Sequence, residues 1–334
     1  MEYKPKKLKN LAIVGLGRWG RTLVRSVQGI SEEVQFTAAV ARSTKLESNF
    51  CCCPKVQLYT SLDAVLANEQ LDGVVLATPH SEHEAQALTV LHAGLPVFVE
   101  KPFAMSFSGA LRVVEAARER GLVVALGFNR RLAPSIRELE RVLTSGELGT
   151  LQYIDGNFSG SYAYRYMGGM WRASKEESPV GGLMPMGIHV LDAMLSLAGP
   201  IEAVQTSSER RILKIDQDDT TIVTARFRCG ITGTLKTITT TGPIFRLEVF
   251  GSKGWAMADG ETSLRICSLE GVVTEKRFPA VDLERLELEA FSRAISKVEN
   301  YFVSYEQALN GVATTDAIIE SARLKAWVNV SPVT

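Results

Sequence analysis

Leu11-Ala12-Ile13-Val14 is a short, unbroken apolar run, the pattern of a strand buried on both faces, and residues 18–28 after it have helical spacing. The alternation then repeats. Residues 34–41 and 57–60 are predicted strands, 61–67 a helix and 72–78 another buried strand. Ser81-Glu82-His83-Glu84 predicts a capping box at the start of the next helix, with Ser81 and Glu84 satisfying free backbone donors reciprocally, and Gly94 ends that helix. Residues 96–99 form a strand. Over residues 106–120, Phe107, Ala110, Leu111, Val114 and Ala117 share one helical face, and Gly121 stops the helix. Residues 123–127 close the series. Strands alternating with helices at this spacing predict a doubly wound domain with a parallel sheet over residues 8–127.

Beyond residue 127 the rhythm changes. After a helix at 134–145, strand patterns follow at 151–158, 203–207, 220–228, 232–239, 245–250, 254–257 and 264–267. Their connections are too short for crossover helices, so neighbouring pairs are expected to be antiparallel. Residues 282–298 and 313–328 read as helices. This segregation predicts an α+β domain over residues 128–334, built on a large, open, mainly antiparallel sheet.

At 334 residues, about two domains' worth of chain, the length agrees with that division. Lys+Arg and Asp+Glu both number 37, and zero net charge argues against a nucleic-acid binder, which needs basic excess to displace counterions. No apolar stretch approaches the roughly 18 residues of a membrane span, and no secretory signal precedes the first strand, so a cytoplasmic location is expected. The five cysteines agree: an odd number that includes Cys51-Cys52-Cys53 is no disulfide framework. Adjacent thiols diverge on extended backbone, and no second Cys/His cluster follows at zinc spacing, so no metal is expected. Asp216, Asp218 and Asp219 form an acidic turn without calcium-loop spacing, and Arg130-Arg131 and Arg210-Arg211 read as solvated or paired charges.

The candidate chemistry sits at the ends of the apolar strands. Gly15-Leu16-Gly17-Arg18-Trp19-Gly20 is G-x-G-x-x-G between the first strand and its helix. Gly15 permits the tight turn, Gly17 lets the backbone approach a pyrophosphate, and Gly20 lets helix and strand pack closely. Free N–H groups of the helix N-terminus favour phosphate. After the second strand, where NAD-binding domains place an acid for the ribose, the chain instead offers Arg42, Ser43 and Lys45, donors suited to a 2′-phosphate. NADP(H) is therefore favoured over NAD(H). Glu100-Lys101-Pro102 follows a central strand, where open α/β sheets bind ligands, and a lysine there can anchor a substrate oxygen or share its proton. A surface lysine at a strand end has the same local pattern.

These segments, with Ala77-Thr78-Pro79-His80-Ser81-Glu82-His83, Gly127-Phe128-Asn129-Arg130-Arg131 and residues 181–192, resemble one family in order and spacing. It is the family of glucose–fructose oxidoreductase, inositol dehydrogenase and the rhizopine-catabolism oxidoreductases. The resemblance runs from Leu11 to about Val328. It implies an N-terminal Rossmann domain and a C-terminal domain whose open sheet makes a homodimer or homotetramer, with a small-molecule substrate between the domains beside the nicotinamide. It makes Lys101 the first catalytic candidate and implies a cis Lys101–Pro102 bond. Thr78, Pro79 and His80, with His83, match the loop over the nicotinamide half, and Glu100 and Asn129 fall in the same cofactor-binding set. Trp171-Arg172 resembles a pair reaching cofactor or substrate from the second domain. His189 matches the histidine that meets the substrate oxygen and exchanges its proton near neutral pH.

The chain also departs from the family pattern. Sugar and polyol members commonly carry an acid four positions before the histidine, in contact with substrate; here that position is Pro185, flanked by Met184 and Met186. His80 stands where the family loop usually has Asn. Asp192, one helical turn after His189, can orient the imidazole or serve as a structural partner. The reading is an NADP(H)-dependent oxidoreductase acting on a secondary alcohol or its carbonyl in a small sugar-like or cyclic polyol. Lys101 and His189 are its catalytic residues, and Lys101, Pro185 and His189 touch substrate. Two rivals stay open: a dehydrogenase for a less polar cyclic diol, and a cofactor-sensing binding protein of the same fold that has lost its chemistry.

Overall fold

The computed structural model describes residues 8–41 and 56–333. Arg42, Ser43 and Lys45, and the cysteine run 51–53, lie outside the described residues. The chain divides into two compact units, one reaching from the N-terminus to Gly127 and including Asp282–Tyr305, the other formed by Phe128–Val281 and Glu306–Thr334.

In the first unit, six strands lie in one parallel sheet: β1 (Lys9–Val14), β2 (Val34–Val40), β3 (Gln57–Tyr59), β4 (Gly73–Leu76), β5 (Val97–Val99) and β6 (Val124–Leu126). Between them run α1 (Arg18–Val27), α2 (Leu62–Asn68), α3 (His83–His92) and α4 (Phe107–Arg120). The spatial order β3-β2-β1-β4-β5-β6 places the reversal of strand order between β1 and β4, where ligands of such sheets bind. Register is shared across the centre: Val14 pairs with Leu76, Leu76 with Val99, and Val99 with Leu126. The residues that follow these four positions therefore leave the sheet at one level.

The expected capping box does not form. Residues His80–Glu82 make a 3₁₀ turn before α3, Glu82 becomes the N-cap in helical conformation, and it gives no side-chain cap. The Glu84 carboxylate turns away to Arg112 of α4, accepting from Nε at 2.9 Å and Nη2 at 2.5 Å.

The second unit is built on a nine-stranded sheet. Its elements are α5 (Pro134–Thr144), β7 (Leu151–Ser159), α6 (Gly187–Ala198), β8 (Ile201–Glu209), β9 (Thr220–Phe227), β10 (Thr232–Ile238), β11 (Ile244–Gly251), β12 (Gly254–Asp259), β13 (Ser263–Ser268) and β14 (Val273–Arg277). Strand order is β14-β13-β12-β11-β7-β10-β9-β8, ending at β15 (Val328–Asn329). All pairings are antiparallel except β7 with β10, which is parallel. That exception follows from connectivity, since the long segment carrying α6 separates β7 from β8 and lets β7 enter the middle of the sheet. Helix α6 packs on β7 and β10 and is buried through most of its length.

Two helices complete the chain. The α7 helix (Leu283–Ile295) belongs to the first unit, not to the C-terminal domain in which the sequence placed it. Its Leu288 and Phe291 join the core of Leu11, Ile13, Phe36, Val75 and Phe98. Full burial of a side chain such as Phe291 contributes about 1.5–3 kcal/mol, which repacks this segment onto the parallel sheet. Gly73 admits the Phe291 ring, since a Cβ there would lie 3.1 Å from Cζ. The α8 helix (Tyr305–Leu324) starts eight residues before its expected position. Among the described residues no helix is long and apolar enough to cross a membrane.

Candidate active site

In the first unit the glycine turn has the form its spacing requires. Gly15 has φ +98°, and a Cβ there would lie 2.6 Å from the Ala77 carbonyl oxygen. A Cβ on Gly20 would overlap the Gly15 carbonyl. Gly17 faces open space and is the N-cap of α1, with neither a side-chain cap nor an acid in the first turn. The N–H groups that an N-cap side chain would otherwise engage are left to a ligand. Leu16 is buried, while Gly17 and Arg18 are exposed.

Trp19, half-buried, reaches across the sheet end. Its indole Nε1–H donates to Glu100 Oε1 at 2.5 Å, and Glu100 Oε2 accepts the backbone N–H of Lys101 at 3.3 Å. Glu100 is 5% exposed, and burial raises its carboxyl to about 7 against the opposing pull of Lys101 and the Trp19 hydrogen bond. Gly127, at the end of β6, makes room for it: a Cβ there would sit 2.9 Å from Cδ and Oε2. Lys101 is half-buried, and its bond to Pro102 is cis, as the resemblance implied.

The loop after β4 is anchored beside this point. Thr78 Oγ1 donates to Gln86 Oε1 at 2.8 Å. Pro79 is half-buried and His80 is buried. His83, expected among the cofactor contacts, is instead wholly buried, with Nδ1 2.7 Å from the Pro102 carbonyl oxygen and Nε2 3.2 Å from that of Thr78. Both ring nitrogens face protein carbonyls, so His83 ties the loop after β4 to the loop after β5 rather than presenting its ring to a ligand.

In the second unit, His189 lies in the first turn of α6, 7% exposed, between the rings of Phe128 (6.2 Å between centroids) and Phe158 (6.1 Å). Its backbone N–H donates to Met186 O at 3.1 Å. Asp192, the candidate orienter of His189, is held by Arg131: Nε donates to Oδ2 at 2.6 Å and Nη2 to Oδ1 at 2.7 Å. A third Arg131 nitrogen donates to Gln307 Oε1 at 3.0 Å. Arg131 is thus a paired charge, one of the two roles its sequence allowed, rather than a solvated one. Pro185 and Met186 are half-buried, but Met184 is 1% exposed and belongs to the core rather than to a pocket wall. Asn129 is buried at the start of a 3₁₀ turn. The Arg172 guanidinium stacks 4.1 Å from the Trp171 ring, and its backbone carbonyl accepts from Gln217.

Residues 9–128 match the model of an oxidoreductase family with an NAD-binding Rossmann fold, and residues 136–257 match the GFO/IDH/MocA C-terminal domain. The chain belongs to the GFO/IDH/MocA family. It is 27% identical to D-xylose 1-dehydrogenase (NADP(+)) 2 of Haloferax volcanii, over 81% of this chain and 84% of that protein. It is 26% identical to the Bos taurus trans-1,2-dihydrobenzene-1,2-diol dehydrogenase, over 67% of this chain and 66% of that one. Levoglucosan dehydrogenase in complex with NADH has the same fold, with a TM-score of 0.88 at 18% identity over 98% of this chain and 100% of that one.

As a GFO/IDH/MocA oxidoreductase the chain binds a nicotinamide dinucleotide, and its first unit fits one. The Gly17 N-cap without a side-chain cap suits the pyrophosphate, and Thr78, Pro79, Glu100 and Lys101 stand at adjacent strand ends. Among the described residues no group of three His, Cys, Asp or Glu side chains is arranged to hold a metal ion.

Proposed function

We propose that this family member is an NADP(H)-dependent dehydrogenase or reductase of a CH–OH group in a small sugar-like or cyclic polyol. The observation that carries the reading is Lys101: it leaves β5 at the level of the glycine turn, next to a buried carboxyl at its own backbone. When bound, the nicotinamide supplies the hydride acceptor or donor. Lys101 binds the substrate oxygen and stabilises charge on it; in the oxidising direction it accepts the hydroxyl proton. His189 exchanges that proton with the medium, its ring held between Phe128 and Phe158. Gly15, Leu16, Gly17, Arg18 and Gly20 hold the pyrophosphate side, and the family resemblance adds Asn129, Trp171 and Arg172 to the cofactor-binding set. Arg42, Ser43 and Lys45 support the preference for NADP(H), a reading from sequence alone. Alternate positions of β9 and β10 are exposed or half-buried, and this face is proposed to pair copies of the chain into a dimer or tetramer in the cytoplasm.

Pro185 favours a second reading, a less polar cyclic diol as substrate, because it supplies neither charge nor a side-chain hydrogen bond where related polyol enzymes carry an acid. The diol dehydrogenase among its relatives supports the same reading. The test follows reduced-nicotinamide absorbance across sugars, inositols, keto-sugars and cyclic diols, in both directions and with both cofactors. Lys101→Met is the control. Turnover is expected to fall by about 10²-fold or more in that variant, the scale of a lost acid–base group, with cofactor affinity nearly intact. Unchanged turnover would remove Lys101 from the chemistry. Silence across the panel with NADPH still bound would favour the sensor.

A further inference from the structure

We infer that Trp19 is a positioning residue for Lys101, its indole N–H fixing the Glu100 carboxylate and that carboxylate fixing the Lys101 backbone. The inference rests on the proposed role of Lys101. The glycine spacing asks nothing of the side chain at position 19, yet the chain places there a large ring with one N–H, packed against the core of the parallel sheet. An indole N–H only donates, and an ionised carboxylate only accepts. Here the two oxygens divide the work, Oε1 taking the indole and Oε2 the backbone N–H of Lys101.

The surroundings leave the carboxyl little freedom. Its own residue is anchored by the Glu100 N–H to Leu76 O bond at 2.9 Å, and Gly127 closes over it from the end of β6. The charged groups facing it are Lys101 beside it and Glu284 of α7, of opposite sign to each other. Trp19, in the first turn of α1, is thus joined by one carboxyl to the lysine after β5, across the end of β4. When the carboxyl takes up a proton, one of its two acceptor positions becomes a donor and the link weakens.

The test uses the whole chain with ¹⁵N-labelled tryptophan. Four indole resonances are expected from the four tryptophans, and Trp19→Phe, which keeps an aromatic ring and removes the N–H, identifies the one from Trp19. Its shift is expected to titrate with a midpoint near about pH 7, and Glu100→Gln is expected to abolish that titration. A Trp19 resonance whose position and pH response are both unaltered in Glu100→Gln overturns the link. Once a substrate is in hand, Trp19→Phe is expected to lower kcat about tenfold, the worth of one charge-assisted hydrogen bond, with cofactor KM nearly unchanged. The Trp19→Phe/Glu100→Gln double variant should be no worse than the poorer single variant. Equal and independent losses, or an unchanged kcat, would make Trp19 merely structural. The indole titration needs no turnover, so it decides the link even if Lys101→Met shows the proposed chemistry to be wrong.

Discussion

Arg131 and Asp192 stand sixty-one positions apart and form a bidentate pair at 2.6 and 2.7 Å, with side-chain exposures of 9% and 6%. Desolvation opposes the charge on a carboxylate this deep, and Arg131 offsets it. Removing one partner leaves the other charged and buried, a loss of about 3–5 kcal/mol. Asp192→Ala is therefore expected to cost that much in urea denaturation. A value under about 1 kcal/mol would place the pair among exposed bridges of small effect. Since both Asp192 oxygens are engaged by Arg131, His189 is not expected to depend on Asp192 for its tautomer, and the residual activity of the variant should keep the wild-type pH profile. The spacing from His189 to Asp192 was legible in the sequence; the partner was not. Helical periodicity reports neighbours three and four positions away, whereas Arg131 reaches Asp192 only through the fold. The same holds for Trp19 and Glu100, each legible as part of a motif, whose hydrogen bond depends on strand order.

Helix ends show where local pattern suffices and where it does not. Ser61, Ser106 and Asp282 each accept an N–H from the residue three positions on and cap α2, α4 and α7. Gly121 follows α4 in the left-handed region, as its position predicted. The box at Ser81 and Glu84 failed because the intervening 3₁₀ turn moved the N-cap to Glu82 and Arg112 drew Glu84 away. β14 was missed because four of its five positions are exposed, leaving no apolar alternation to read. At α1 the missing cap itself has a use. Gly17→Asp would supply a cap and a negative charge at the helix N-terminus, worth about 0.3–1 kcal/mol to the free protein. The same carboxylate would repel a pyrophosphate. The expected result is a slightly higher melting temperature without cofactor and a cofactor Kd raised at least about tenfold, the loss of one charged contact. Unchanged cofactor affinity would mean that the pyrophosphate does not rest on this helix end.

At the scale of the whole molecule, the two-part division was legible in the strand rhythm, but the return of α7 to the first unit was not. Nothing in the amphipathic pattern of residues 283–295 says which sheet they cover; Phe291 finds the space left by Gly73 only once both are folded. That packing also places Glu284 of α7 among the charges felt by Glu100. A carboxyl raised to about 7 in the folded chain, from an ordinary value of 4.5, binds its proton more tightly when folded than when unfolded. The stability linked to that proton is fully present below the unfolded value and is lost as the pH rises through the folded one. Integrated from about pH 4 to about pH 8, the loss is on the order of 3 kcal/mol. Histidine side chains ordinarily ionise in this range, so the wild type alone does not isolate the effect. Glu100→Gln keeps the shape and the indole's acceptor and removes the titration while leaving the histidines in place. The difference in unfolding free energy between wild type and Glu100→Gln should move against the wild type by that amount as the pH rises. A difference that stays constant with pH would mean that Glu100 is already ionised throughout, its charge stabilised by Lys101 and Trp19 more strongly than burial opposes it.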